Sequence, residues 1–187
     1  MKKQPRAALF LAVLTLTAGA LRADETVCTG SISGSHDNVL VPGFATCSIT
    51  DARIEGNVKV EQGGAVTISG RTFIDGNVQS DGGRFVRLLG GGVTVGGDVQ
   101  IKKATETSAI QPGTQVLGNF QYEENQAFLF ATGAFIQGDF QVFKNLGGAS
   151  ISRNTIRQNL QCKENIPAPM GGGNVVGGNK EDQCRRL

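Results

Sequence analysis

Four kinds of residue in this 187-residue chain have types and spacings that could do chemistry: cysteines, a recurring Asn or Asp, a recurring Gln, and runs of acids and bases. Cys28, Cys47, Cys162 and Cys184 form disulfides if the chain meets an oxidising compartment, or hold zinc if all four converge. Asn38, Asn57, Asn77, Asp98, Asn119, Asp139, Asn159 and Asn179 are mostly preceded by Gly. They offer either oxygen ligands for calcium or hydrogen bonds to their own turns. Calcium needs several oxygens per ion, and the glycine–aspartate nonapeptides of calcium-binding β-rolls are absent, so a structural turn ladder is expected.

The glutamines are Gln79, Gln100, Gln121, Gln141 and Gln161, preceded by Lys59. Two positions beyond them stand Glu61, Asp81, Lys102, Glu123 and Lys163, then Gln62, Lys103, Glu124, Lys144 and Glu164. Paired carboxylates are the apparatus of glycoside hydrolysis. Here each acid has a basic neighbour that explains it: Asp81 and Glu123 against Lys102, Glu124 against Lys103 and Lys144. His36 stands alone, without the company of a metal site or a catalytic triad. One His, one Tyr and no Trp leave few parts for acid–base work or sugar stacking. No catalytic, metal-binding or cofactor-binding residue is expected, and no cofactor.

The elements that position these columns come from a repeat. The phrase runs Ile54-Glu-Gly-Asn-Val58, Ile74-Asp-Gly-Asn-Val78, Val95-Gly-Gly-Asp-Val99, Val116-Leu-Gly-Asn-Phe120, Ile136-Gln-Gly-Asp-Phe140 and Ile156-Arg-Gln-Asn-Leu160, with a degenerate copy at Val176-Gly-Gly-Asn179. Its steps are 20, 21, 21, 20, 20 and 20 residues. Within each copy apolar residues alternate with period 2, as in Val58/Val60 and Val99/Ile101, and a second alternation follows, as in Val66/Ile68, Val86/Leu88 and Phe128/Phe130. Short strands, Gly-rich turns and no helical stretch predict an all-β fold, a single-stranded parallel β-helix of about seven coils, right-handed by preference. Coils about 4.8 Å apart make a rod roughly 35 Å long. Leucine-rich repeats lack support in the Leu and Asn pattern, and a six-residue rhythm does not divide 20 or 21.

In that register the glutamines point outward as an amide ladder, the first place to look for an interaction face. The phenylalanines Phe120, Phe128, Phe130 and Phe140 read as core stacks. Cys28 and Cys47 are 19 residues apart and Cys162 and Cys184 are 22 apart, about one coil each, so the expected disulfides are Cys28–Cys47 and Cys162–Cys184, one clamp at each end. Zinc would need the pairs to meet across the rod's length.

Residues 1–23 have the form of a signal peptide: Lys2, Lys3 and Arg6, an apolar stretch Ala7–Leu16, then small residues. Removing Lys2, Lys3, Arg6 and Arg22 reduces 18 basic residues to 14 against 16 acidic ones, a net charge of −2. Nucleic acid thereby loses its electrostatic argument. The mature chain is expected to be exported and to lack a membrane span. Residues 24–53 then read as capping coils, 54–164 as the repeats, and 165–187, with Pro167, Pro169 and a Gly run, as a terminal cap. A monomer is expected, with lateral self-association the alternative.

The coil phrase over 54–160, and the ending Asn159-Leu-Gln-Cys-Lys-Glu-Asn165 with Gly178-Asn-Lys-Glu-Asp-Gln-Cys184, resemble small exported bacterial β-helix proteins of unassigned function. The phrase is more distantly similar to that of the bactofilins, from which the signal and the cysteines depart. The resemblance implies a secreted β-helix and supplies no catalytic residue. The expected function is a non-enzymatic structural or interaction module, with a protein or polysaccharide partner at the cell surface. The rival is a small polysaccharide-binding or polysaccharide-degrading β-helix similar to pectate lyases, whose long loops repeats of this length exclude. An ice- or mineral-binding rod needs a threonine ladder, which Thr67, Thr94 and Thr132 do not form.

Overall fold

The computed structural model describes residues 24–187, so the expected signal segment lies outside the described residues. The chain is a parallel β-solenoid with three faces. The first is a nine-stranded sheet running from Glu25–Val27 to Lys180–Asp182, so eight turns separate its ends. The other two belong to one sheet creased at a corner. Thr46–Ile54 runs through that corner, pairing with Ala65–Ser69 before it and with Phe73–Ile74 after it. All the strand pairs are parallel.

Alternation fixes what lies inside. On the first face Val39, Val58, Val78, Val99, Phe120, Phe140 and Leu160 stack in one inward row, and Val41, Val60, Ser80, Ile101, Tyr122, Val142 and Cys162 in the next. The third face contributes Ile54, Ile74, Val95, Val116, Ile136 and Ile156, each buried. Phe120 and Phe140 meet edge to face at 5.1 Å. Burying such a side chain contributes on the order of 1.5–3 kcal/mol, so the shared column makes the coils interdependent.

The phenylalanines divide, against expectation. On the second face the inward residues are Leu129 and Ala131, paired with Ala149 and Ile151. Phe130 points outward at 45% exposure beside half-buried Phe128. The connection from the first face to the second gains one residue, since the inward pair Val78 and Val86 are 8 residues apart and the equivalent pair Phe120 and Leu129 are 9 apart. A one-residue offset sends every side chain to the opposite side.

Both disulfides form between the expected partners, with Cα–Cα distances of 5.5 Å for Cys28–Cys47 and 5.1 Å for Cys162–Cys184. Neither joins ladder neighbours. The Cys28 N–H donates to Leu40 O on the first face, whereas Cys47 stacks on Val66 of the second, so this bridge crosses the end of the core. Cys162 faces Asp182 in the ladder, and Cys184 reaches it from the closing turn.

The C-terminal end also differs from the cap read over 165–187. Residues 165–182 complete another coil, with strands Met170–Gly172, Val175–Val176 and Lys180–Asp182. Only the last five residues leave the solenoid. There Cys184 and Leu187 are buried under the final coil, and Lys180 Nζ donates to Leu187 O.

Candidate interaction face

Each coil has three corners, and amide or hydroxyl side chains knit them. At the corner entering the first face, Asn38 Oδ1 accepts from Asn57 N–H at 2.8 Å, and the pattern continues through Asn77, Asp98, Asn119, Asp139, Asn159 and Asn179. The column read as a turn ladder is therefore a chain of side-chain acceptors for the next coil's backbone. The Gly before each Asn or Asp has a steric cause. A Cβ on Gly76 would lie 2.6 Å from Asn57 Oδ1, and the same acceptor oxygen crowds Gly97, Gly118, Gly138 and Gly178. Asp37, at the start of the column, and Gln158 are the exceptions, and Asn159 still bonds to Asp139.

Two further ladders escaped sequence reading because they are buried rather than repeated in every coil. At the corner leaving the first face, Asn125, Asn145 and Asn165 stack. Asn145 Oδ1 accepts from both the N–H and the Nδ2 of Asn125, while Asn145 Nδ2 donates to Tyr122 O. Gln183 closes the stack by accepting from Asn165 N–H and Nδ2. At the remaining corner Asn174 supports Asn154, which supports Ala134 N–H. The spacing of 20 residues between these asparagines was the available signal.

At this corner Lys103, which precedes Ala104, and Glu124, Lys144 and Glu164, which precede the three stacked asparagines, hold a left-handed backbone, with φ of 52°, 54°, 55° and 57°. This removes those charges from the flat sheet and undoes part of the expected pairing. Lys102 does bind Glu123, at 2.7 Å, but Asp81 pairs with Lys103 rather than Lys102. The expected Lys103–Glu124 and Glu124–Lys144 pairs do not form among the described residues. Phe143 interrupts the outward row between Glu123 and Lys163.

The glutamines do share one column: Lys59, Gln79, Gln100, Gln121, Gln141, Gln161 and Glu181 are successive partners on the first face. Their amides are not one continuous ladder. Gln141 donates to Gln161 at 3.1 Å and Gln161 to Glu181 at 2.9 Å, but Gln121 turns to Glu123 on its own strand. Lys59, Gln79 and Gln100 have no side-chain partner among the described residues. Above them opens a shallow cleft of about 590 Å³, lined by Lys59, Glu61, Gln62, Gln79, Asp81, Gln100 and Lys102, with Val60 and Ser80 between them.

Two lone residues find local roles. His36 Nε2 donates to Ser33 O at 3.0 Å, which leaves Nδ1 to accept from Thr26 Oγ1, so the ring ties the first coil together. The single tyrosine, Tyr122, is buried and donates to Phe130 O, and burial pushes its phenol well above the usual value.

No group of three or more His, Cys, Asp or Glu among the described residues is placed to hold a metal ion. No helix among them is long and apolar enough to cross a membrane. Comparison with protein-family models, curated proteins and solved structures finds no match.

Proposed function

We propose that this protein is an exported, non-enzymatic interaction module: a short rigid rod that presents its first face to a partner at the cell surface. The observation that carries the reading is the face itself. Six consecutive strands place Lys or Gln at one outward position, on a sheet whose entering corner carries an unbroken ladder from Asn38 to Asn179. Such a surface is preorganised, so little ordering cost is incurred when a partner binds. Export is supported by the form of residues 1–23 and by two disulfides, which persist in oxidising compartments. The two clamps and the closing turn favour a rod that works as a monomer.

The test is binding of labelled protein to envelope preparations from the producing cells. Replacing the neutral amides of the face by carboxylates with Gln79→Glu and Gln100→Glu lowers the bound fraction at least tenfold, while Gln115→Glu on the third face leaves it unchanged. Equal binding by both variants, or none by the native protein, contradicts the proposal.

A further inference from the structure

The first face is not uniform along its length, and the difference points to a ligand class. In its C-terminal half the outward amides are consumed by neighbours, Gln121 by Glu123 and Gln141 by Gln161. In its N-terminal half Lys59, Gln79 and Gln100 keep their donors and acceptors free, and the cleft lies between them and the row Glu61, Asp81 and Lys102. These two rows are about 6.6 Å apart along the strands. The cleft crosses successive coils, so it runs parallel to the rod axis. Its charges balance, with Lys59 and Lys102 against Glu61 and Asp81.

Phe44 stands beside the cleft. The residue is 88% exposed and its backbone is left-handed at φ 63°, a conformation unfavourable for a bulky residue. A Cβ on Gly63 would touch the ring at 3.0 Å, so the ring lies against the glycine that follows the cleft residue Gln62. Phe44 therefore adds nothing to the core and offers an open aromatic surface where the polar trough ends.

Resting on the interaction reading above, we propose that the segment from Lys59 to Lys102, with Phe44 as its platform, binds a neutral polysaccharide chain lying along the rod axis. Sugar hydroxyls both donate and accept, which matches free primary amides. The C–H face of a pyranose packs on an aromatic ring. The coil spacing of about 4.8 Å is close to the length of one sugar unit, so successive units meet successive coils. A polyanion would need net positive charge, which the cleft lacks. A peptide would need apolar anchor pockets, and the cleft is walled by amides and charges.

The experiment records amide spectra of the ¹⁵N-labelled protein, produced by export from its full chain, with cellohexaose, chitohexaose and a hexamer of polygalacturonate added separately. The proposal predicts saturable shifts of the Gln79 and Gln100 side-chain amides with at least one of the two neutral hexamers. Q79A/Q100A weakens that binding at least tenfold and F44A at least threefold, while Q115A leaves it unchanged. All four positions are outward-facing, and the dispersion of the spectra reports that each variant is folded. No shift with either neutral hexamer, binding of the acidic hexamer alone, or shifts indifferent to both cleft variants would overturn it. Envelope binding measured in parallel separates the two levels. Envelope binding that depends on Gln79 and Gln100 but survives excess neutral hexamer would sink the glycan assignment and leave the interaction face standing. Loss of both would sink the two together.

Discussion

An asparagine that replaces part of a sheet is costly to lose where water cannot take its place. Asn145 is fully buried, and its removal strands the Asn125 N–H and the Tyr122 carbonyl. Asn145→Ala is therefore expected to lower unfolding free energy by about 2–4 kcal/mol in a denaturant titration. Asn119→Ala is expected to lose no more than about 1 kcal/mol, because the Asp139 N–H it frees lies at an exposed turn that water reaches. Equal losses would mean that burial is not what separates the two ladders. Asn119 was legible in the sequence because its column recurs in every coil, in most of them after a sterically required glycine. Asn125 was not, because its column holds Gly83 and Ala104 before it and Gln183 after it, which hides the shared role. Tyr122 gives a second test at this scale. Its folded phenol titrates above its unfolded value of about 10, so the stabilisation is complete below pH ~10 and falls as pH rises beyond it. Being the only tyrosine, it should show no phenolate absorbance until the protein unfolds. A separate phenolate step in the folded protein would contradict its burial.

The coil was the most legible element, since a phrase recurring every 20 or 21 residues states both the strand and the turn. Its second strand was less so. Apolar residues stand on both sides of Leu129, and only the ladder shows that Leu129 and Ala131, rather than Phe128 and Phe130, face inward. The disulfide partners were read correctly from coil-length spacing, yet the bridges cross between elements instead of joining ladder neighbours. That geometry gives the C-terminal bridge a local task. It holds the turn that carries Gln183 under the Asn165 ladder and Leu187 under the core. Cys162→Ser with Cys184→Ser is expected to cost about 3 kcal/mol on the chain-entropy account of a loop of 22 residues. Hydrogen exchange should show the loss of protection concentrated in residues 160–187. Uniform loss along the rod would show that the bridge acts on the whole solenoid.

At the scale of the molecule, a parallel solenoid must stop itself, because each terminal strand presents unpaired backbone groups to another chain. Here the final coil carries a Gly171–Gly173 run with φ of 129°, 152° and 70°, and the chain then folds back beneath the core. The first face contributes one outward row of amides over this capped rod, and the proposed function depends on that rod being finished. Deleting residues 180–187 removes Glu181, Gln183, Cys184 and Leu187 together and uncovers Leu160 and Cys162. The truncated chain is expected to elute as species larger than one chain, whereas elution as a monomer would show that the terminal turn does not limit growth. For the intact protein the most direct measurement is light scattering behind a size-exclusion column, with electron microscopy of the peak. A single species of one-chain mass, seen as short separate particles, is the predicted result. Filaments or large assemblies would contradict the account, because the function would then reside in the polymer rather than in the face of one rod.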